Sequence, residues 1–249
     1  MIGFNHEYGL TDTLISTVAD GSPSVLPITL DYAKLHIRAL GTVDDPLINV
    51  WIQAAASYFE EQTGRAILTQ THEVSCDRFP FFGASGMYQR IELPKPPLQS
   101  VTSVKYIDCN GALQSYSTGG SPDTPYWTTS APAGPYARRG FVEPLFGNSW
   151  PTAQLQTGSV RIRYVAGYGS TPHDVPTLVR GILCYLVAHF DTFRSAVHEA
   201  RRGQVLELPY GVEAMLDGFK YSALPSQTQL RAYATFWPLG SELGGRVIL

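Results

Sequence analysis

The sequence predicts an α+β protein: a small helical bundle of two N-terminal and two C-terminal helices, with an inserted all-β domain and extended terminal arms. Three observations carry this expectation. Apolar residues recur at helical spacing up to about residue 66 and again from about residue 174. Between these points the period drops to two, in short runs bounded by Pro, Gly, Asn and Asp. Neither helix pair has enough apolar surface for a core of its own, so the economical fold packs the two pairs together across the insertion. The expected divisions are an arm over 1–27, helices over 28–66, the inserted β domain over 67–173, helices over 174–221, and a second arm over 222–249.

Residues 1–27 are polar and punctuated by Gly and Pro, with no sustained period. Thr29 then has the chemistry of an N-cap for a short helix carrying Leu30, Ala33, Ile37 and Leu40. In "DDPLINVWIQAAASYFEEQTG", Asp44 or Asp45 can cap, Pro46 sits where the first turn tolerates it, and Gly64 closes. At about 100° per residue, Leu47, Ile48, Trp51, Ile52, Ala55, Tyr58 and Phe59 share one face. Asn49, Gln53, Glu60 and Glu61 fall on the wet side.

The runs "ILTQTHEVSCDRF", "YQRIELP", "SVTSVKYIDCNGALQSYS", "RRGFVEPL" and "SVRIRYVAGYG" read as strands, and "DCNG" between two alternating stretches reads as a hairpin turn. In the last run Val160, Ile162 and Tyr164 alternate with Arg161, Arg163 and Val165, the pattern of a strand with one buried face. Helical period returns in "DVPTLVRGILCYLVAHFDTFR", started by Pro176, with Leu178, Val179, Ile182, Leu183, Leu186, Val187, Phe190 and Phe193 in one stripe. "LPYGVEAMLDGFKY" is the final helix. Trp51 and Phe190 are expected in one helical core.

Composition narrows the function classes. With 249 residues, 44% hydrophobic and 16% charged, the chain can bury a sizeable core. A net charge of −3 gives no strong pull towards nucleic acid or an acidic membrane as a whole. No apolar run approaches the roughly 18 residues of a membrane span, and no basic-then-apolar leader opens the sequence. Cys76, Cys109 and Cys184 have no CxxC spacing and read as reduced thiols of a cytosolic protein.

The search for chemistry is almost empty. His6, His36, His72, His173, His189 and His198 show no metal-ligand spacing, and His189 falls inside an apolar arc, as a satisfied core histidine does. No GxSxG or phosphate-binding loop occurs, so no cofactor is expected. Glu213 and Asp217, at i and i+4, can share a helix face and so leave a two-carboxylate glycosidase open beside a plain solvated face. Arg138 with Arg139, Arg161 with Arg163, and Arg201 with Arg202 are small basic pairs that suit either solvent or a nucleic-acid backbone.

Taken in order, "ITLDYAKLHIRAL", "TGRAILTQT", "LPKPPLQSVTSVKYID", "VRIRYVAGYG", "VPTLVRGILCYLVAHF" and "ELPYGVEAML" resemble the head–tail connector (adaptor) proteins of tailed bacteriophages and gene transfer agents. The resemblance is to the branch with a β insertion between helix pairs, and it spans about residues 28–221. It implies a structural, non-enzymatic protein of the virion neck, assembled in the host cytoplasm. Such a protein forms a homo-oligomeric ring beneath the portal, matching its twelvefold symmetry as a dodecamer. It extends the DNA channel and gives the tail or a stopper a platform. The implied partners are the portal protein, the tail or stopper protein, further copies of the chain and, non-specifically, channel DNA, with no membrane. The family brings no catalytic motif. Within this frame Val50 and Ala54, just outside the apolar arc, are subunit-contact candidates. A tail-completion or stopper protein is the neighbouring alternative, and a virion-associated cell-wall hydrolase the more distant one.

The end of the chain stands apart. "RAYATFWPLG" and the closing "RVIL" put apolar anchors where a finished domain usually frays into polar residues. Phe236, Trp237, Leu239, Leu243, Val247, Ile248 and Leu249 are therefore expected to dock on the portal or a neighbouring subunit, with Gly244 and Gly245 as a hinge. The competing expectation is that the tail covers its own β domain.

Overall fold

The computed structural model of the chain describes residues 15–18, 25–80, 90–117, 127–145, 148–192 and 210–220. The first helix, α1 (Leu30–Ile37), starts where Thr29 Oγ1 accepts the Tyr32 N–H at 3.2 Å. It ends at Arg38, which takes the left-handed conformation (φ 57°), so Leu40 lies beyond the helix and fully exposed rather than on its stripe. In α2 (Asp45–Thr63) Pro46 occupies the first turn and Gly64, at φ 66°, closes the helix by donating its N–H to the Glu60 carbonyl. Ile48, Trp51, Ile52, Ala55 and Phe59 are buried, as the helical wheel requires. Leu47, at the N-terminal end of the same arc, is exposed.

α3 (Thr177–Thr192) buries Val179, Ile182, Leu183, Cys184, Leu186 and Val187, and α4 (Tyr210–Phe219) adds Val212, Leu216 and Phe219 to the same core. Each fully buried side chain of this kind contributes about 1.5–3 kcal/mol. Two expectations need adjusting. Leu178 stands exposed at the start of α3, and Phe190 is only partly buried at the core's margin, whereas Trp51 belongs to the core proper.

The described strands form two sheets, antiparallel throughout. The larger has the order β1 (Ile15–Val18), β2 (Gln70–Cys76), β8 (Val160–Ala166), β4 (Leu98–Ile107), β5 (Leu113–Ser115). The smaller has the order β3 (Ile91–Glu92), β7 (Phe141–Pro144), β6 (Trp127–Ser130). In β8, Val160, Ile162, Tyr164 and Ala166 are buried while Arg161 and Arg163 face solvent, the alternation read from sequence. The "DCNG" turn joins β4 to β5: Asp108 Oδ1 accepts the N–H groups of Asn110 and Ala112, each at 2.9 Å, and Gly111 supplies φ 82°. The larger sheet also recruits Ile15–Val18, which pairs with β2, so this part of the expected N-terminal arm is an edge strand. β6 likewise escaped the sequence reading.

Among the described residues two hydrophobic clusters result. One joins the four helices; the other fills the β region with Val74, Cys76, Leu93, Val142, Ile162, Tyr164 and their neighbours. Phe79, Tyr116 and Trp150 form an aromatic corner of the second cluster, with Phe79 and Trp150 stacked at 4.6 Å.

Candidate functional site

The chain enters the β region just after α2 and leaves it just before α3, and these two passages touch. Thr69 donates its N–H to the Gly169 carbonyl at 2.9 Å, and Tyr168 donates to the Ile67 carbonyl at 3.0 Å. Gly167 makes this closeness feasible. It sits at φ 130°, and a Cβ there would lie 2.3 Å from the Leu68 carbonyl oxygen.

Arg65 lies at the centre of this joint and is buried. Its Nε donates to the carbonyl of Phe219, the last residue of α4, and its Nη1 to the carbonyl of Ala137, each at 2.8 Å. A guanidinium at a helix C-terminus also meets the negative end of the helix dipole. Phe219 is held between Phe59, edge-on at 5.6 Å, and Tyr136, stacked at 4.9 Å. Tyr168 donates its hydroxyl to the Pro135 carbonyl at 2.6 Å. Burial pushes its phenol above the ordinary value, and the neighbouring Arg65 opposes that shift. One cation thus ties the end of α2, the end of α4 and the 134–140 loop.

Glu60 completes the joint and corrects its assignment to the wet side of α2. Its carboxylate accepts the Ile67 N–H at 2.8 Å and the Gln70 amide at 3.1 Å, holding the chain as it turns from helix to strand. Desolvation raises its pKa above the usual carboxylate range, against these hydrogen bonds. Sequence spacing could not show this, because the partner is the chain folding back past the helix end. The signal for Arg65 was weak but present: an arginine directly after a helix-closing glycine, in the otherwise apolar run "RAIL".

A cleft of about 340 Å³ opens beside the joint, lined by Pro97, Leu98, Gln99, Pro135, Tyr168 and Pro176 among others. Among the described residues lining it, Asp174 carries charge. The N–H and hydroxyl of Thr171 hold that carboxyl below its usual range, so Asp174 is committed to its own turn. Among the described residues no group of three or more His, Cys, Asp and Glu could hold a metal ion. Burial pushes the Cys184 thiol up to about 11, away from nucleophilic reactivity.

Glu213 and Asp217 are both exposed on α4, and Asp217 is engaged by Lys220 at 2.7 Å. A glycosidase acid needs an apolar surrounding to hold its proton at neutral pH, and neither position supplies one. Arg163 pairs with Glu73 at 3.5 Å across the sheet, and Arg161 faces Lys105 in register. His189 is half-buried, edge-on to Phe190, rather than enclosed in the core. Val50 and Ala54 are exposed. The seven expected docking residues Phe236, Trp237, Leu239, Leu243, Val247, Ile248 and Leu249, and the pair Arg201 and Arg202, lie outside the described residues.

The geometry defines a scaffold of two cores clamped at one joint, where the buried Arg65 is occupied in holding backbone. No protein-family profile and no curated protein matches the chain. Solved structures do. A chain from the neck of an empty gene transfer agent particle, computed with C6 symmetry, superposes with a TM-score of 0.64 at 16% identity. The match covers 85% of this chain and 98% of that one. A chain from the virion of a native gene transfer agent particle gives 0.62 at 18% identity, with the same coverage of 85% and 98%. One from the neck of a native particle, computed with C12 symmetry, gives 0.60 at 18%, again over 85% and 98%. The protein therefore shares its fold, across most of its length, with components of gene transfer agent particles.

Proposed function

We propose that this chain is a structural head–tail adaptor of a phage-type neck. Copies form a ring beneath the portal that extends the DNA channel and gives the tail or a stopper its platform. The observation that carries this reading is the fold shared over 85% of the chain with neck components of particles treated with C6 and C12 symmetry. A joint built from Arg65, Glu60 and Gly167 supports it, since a ring subunit must hold a fixed angle between its parts to close a ring. The net charge of −3 suits a channel wall that lets DNA pass. Among the described residues no helix is long and apolar enough to cross a membrane.

In this reading the β region is an insertion into the helical bundle, and residues 222–249 are an arm that docks through Phe236, Trp237, Leu239, Leu243, Val247, Ile248 and Leu249. One arm binds weakly because ordering its backbone offsets most of the apolar gain. A ring of arms binds firmly, since each docking raises the effective concentration of the next.

The test is reconstitution of the full-length protein with portal rings, followed by light scattering and electron microscopy. Rings of this chain seated on portal are expected. Persistent monomer beside portal, at concentrations well above micromolar, overturns the assignment. Binding only to a preassembled neck, and not to portal, moves the protein to the stopper position.

A further inference from the structure

We infer that the turn joining β4 to β5 is a modification site, at which Asn110 deamidates spontaneously. Asp108 restrains the reaction by holding the N–H groups of Asn110 and Gly111.

Of the asparagines at positions 5, 49, 110 and 148, Asn110 alone precedes a glycine. Deamidation needs the next residue's backbone nitrogen to reach the asparagine side-chain carbonyl carbon, so a side chain on that next residue obstructs it. Gly111 has none, and nothing lies within 4 Å of a Cβ built there. Both residues are exposed, so water has access. The other described asparagines are worse placed. Asn49 lies within α2, where helical backbone is fixed and the following residue is the β-branched Val50. Asn148 is exposed but precedes Ser149, whose side chain stands where Gly111 leaves space.

The step balances with water as its one co-reactant. The Gly111 nitrogen bonds to Cγ of Asn110, the Cγ–Nδ2 bond breaks, and ammonia leaves carrying the proton that the Gly111 nitrogen gives up. Water then opens one of the two carbonyl–nitrogen bonds of the resulting succinimide. Position 110 becomes aspartate, or isoaspartate, in which the backbone runs through the former side chain. Either product adds a negative charge at the hairpin end, and isoaspartate also lengthens the turn by a methylene.

The restraint lies in the turn's hydrogen bonds. The Gly111 N–H, whose proton has to leave, donates to the Asp108 carbonyl at 3.0 Å. Asp108 Oδ1 accepts the N–H groups of Asn110 and Ala112, each at 2.9 Å, and Oδ2 accepts the Gln114 amide at 3.0 Å. The Ala112 N–H, the Gln114 amide and the Asn110 N–H hold the Asp108 carboxyl below its usual range, so it stays ionised at neutral pH. Ring closure turns Asn110 relative to Gly111, which breaks these contacts. The rate therefore follows the fraction of time the turn is open, the same local opening that admits hydrogen exchange.

Peptide mapping by mass spectrometry over a time course in mildly alkaline buffer tests this on the full-length protein. The samples are folded wild type, wild type unfolded in guanidinium chloride, and Asp108→Ala. In folded wild type, conversion at Asn110 should precede conversion at Asn49 and Asn148. Asp108→Ala should convert faster, on the order of tenfold, because it loses hydrogen bonds to a charged group. The unfolded chain should be faster than folded wild type by the factor that protects the Gly111 amide from hydrogen exchange. The inference is overturned if Asn49 or Asn148 converts first, or if folded wild type converts as fast as the unfolded chain or not at all. An Asp108→Ala variant that keeps the wild-type melting temperature and converts no faster also overturns it. Should that variant lose its melting temperature, the exchange comparison on wild type decides: matching factors uphold the inference and unequal ones sink it.

Discussion

Arg65 donates Nε–H to the carbonyl of Phe219 at 2.8 Å, linking residues 154 positions apart in the chain. The same guanidinium satisfies Ala137, so two carbonyls depend on one side chain. Arg65→Ala should cost about 3 kcal/mol, since each deserted buried acceptor costs roughly 1–3. Arg65→Lys should fall between wild type and alanine, because an ammonium lacks the planar fork that spans both acceptors. Urea unfolding reads both. A loss below about 1 kcal/mol for the alanine variant would mean that water takes over the guanidinium's role.

Gly64 and Gly167 both have positive φ, but their surroundings differ. Nothing lies within 4 Å of a Cβ built on Gly64, whereas one on Gly167 runs into the Leu68 carbonyl at 2.3 Å. Gly64→Ala should therefore cost about 1 kcal/mol, the left-handed penalty alone. Gly167→Ala should cost clearly more, because the two chain passages must separate. Equal melting temperatures for the two variants would contradict the tight crossing.

Trp51 and Phe190 separate centre from margin in the helical core. Trp51→Ala should lower stability by about 3–5 kcal/mol. Phe190→Ala should lose less than half as much, since its ring already meets solvent. Chemical denaturation of both variants checks the ranking, and a larger loss at Phe190 would reverse the two assignments.

Glu60 should leave a pH signature. Its folded pKa is raised by desolvation, so the native state binds the proton more tightly than the unfolded chain does. Stability from this group is then greatest below the ordinary glutamate pKa and declines as pH rises through the higher folded value. Glu60→Gln keeps an acceptor for the Ile67 N–H and cannot ionise. The melting-temperature difference, variant minus wild type, should move in the variant's favour between about pH 4 and about pH 7. A difference moving the other way would show that the hydrogen bonds to the carboxylate outweigh its desolvation.

Removal of residues 226–249 tests the proposed arm. The truncated protein should keep the melting temperature of the free full-length chain and lose portal binding. A marked fall in melting temperature would show instead that Phe236, Trp237 and their neighbours serve the chain's own core.

What the sequence determined by itself was whatever depends on near neighbours. Gly64 ends α2 and Asp108–Gly111 turns β4 into β5 because capping and turn chemistry act over a few residues. Ile52, Phe59, Ile162 and Tyr164 point inward because periods of 3.6 and 2 fix which side chains share a face. The resemblance built on those segments pointed to the fold that the gene transfer agent chains share. Tertiary structure alone decided which parts of each face find a partner. Leu47 and Leu178 belong to apolar arcs yet stand exposed at helix ends, whereas Glu60, placed on the polar side, is covered where Ile67 and Gln70 fold back over it. β8 lies between β2 and β4, and Ile15–Val18 joins the sheet, through hydrogen bonds between residues distant in the chain; periodicity is blind to such pairs. Arg65 shows the reason most plainly. Its acceptors at Ala137 and Phe219 are backbone carbonyls, which every residue carries, so only the folded path of the chain selects those two.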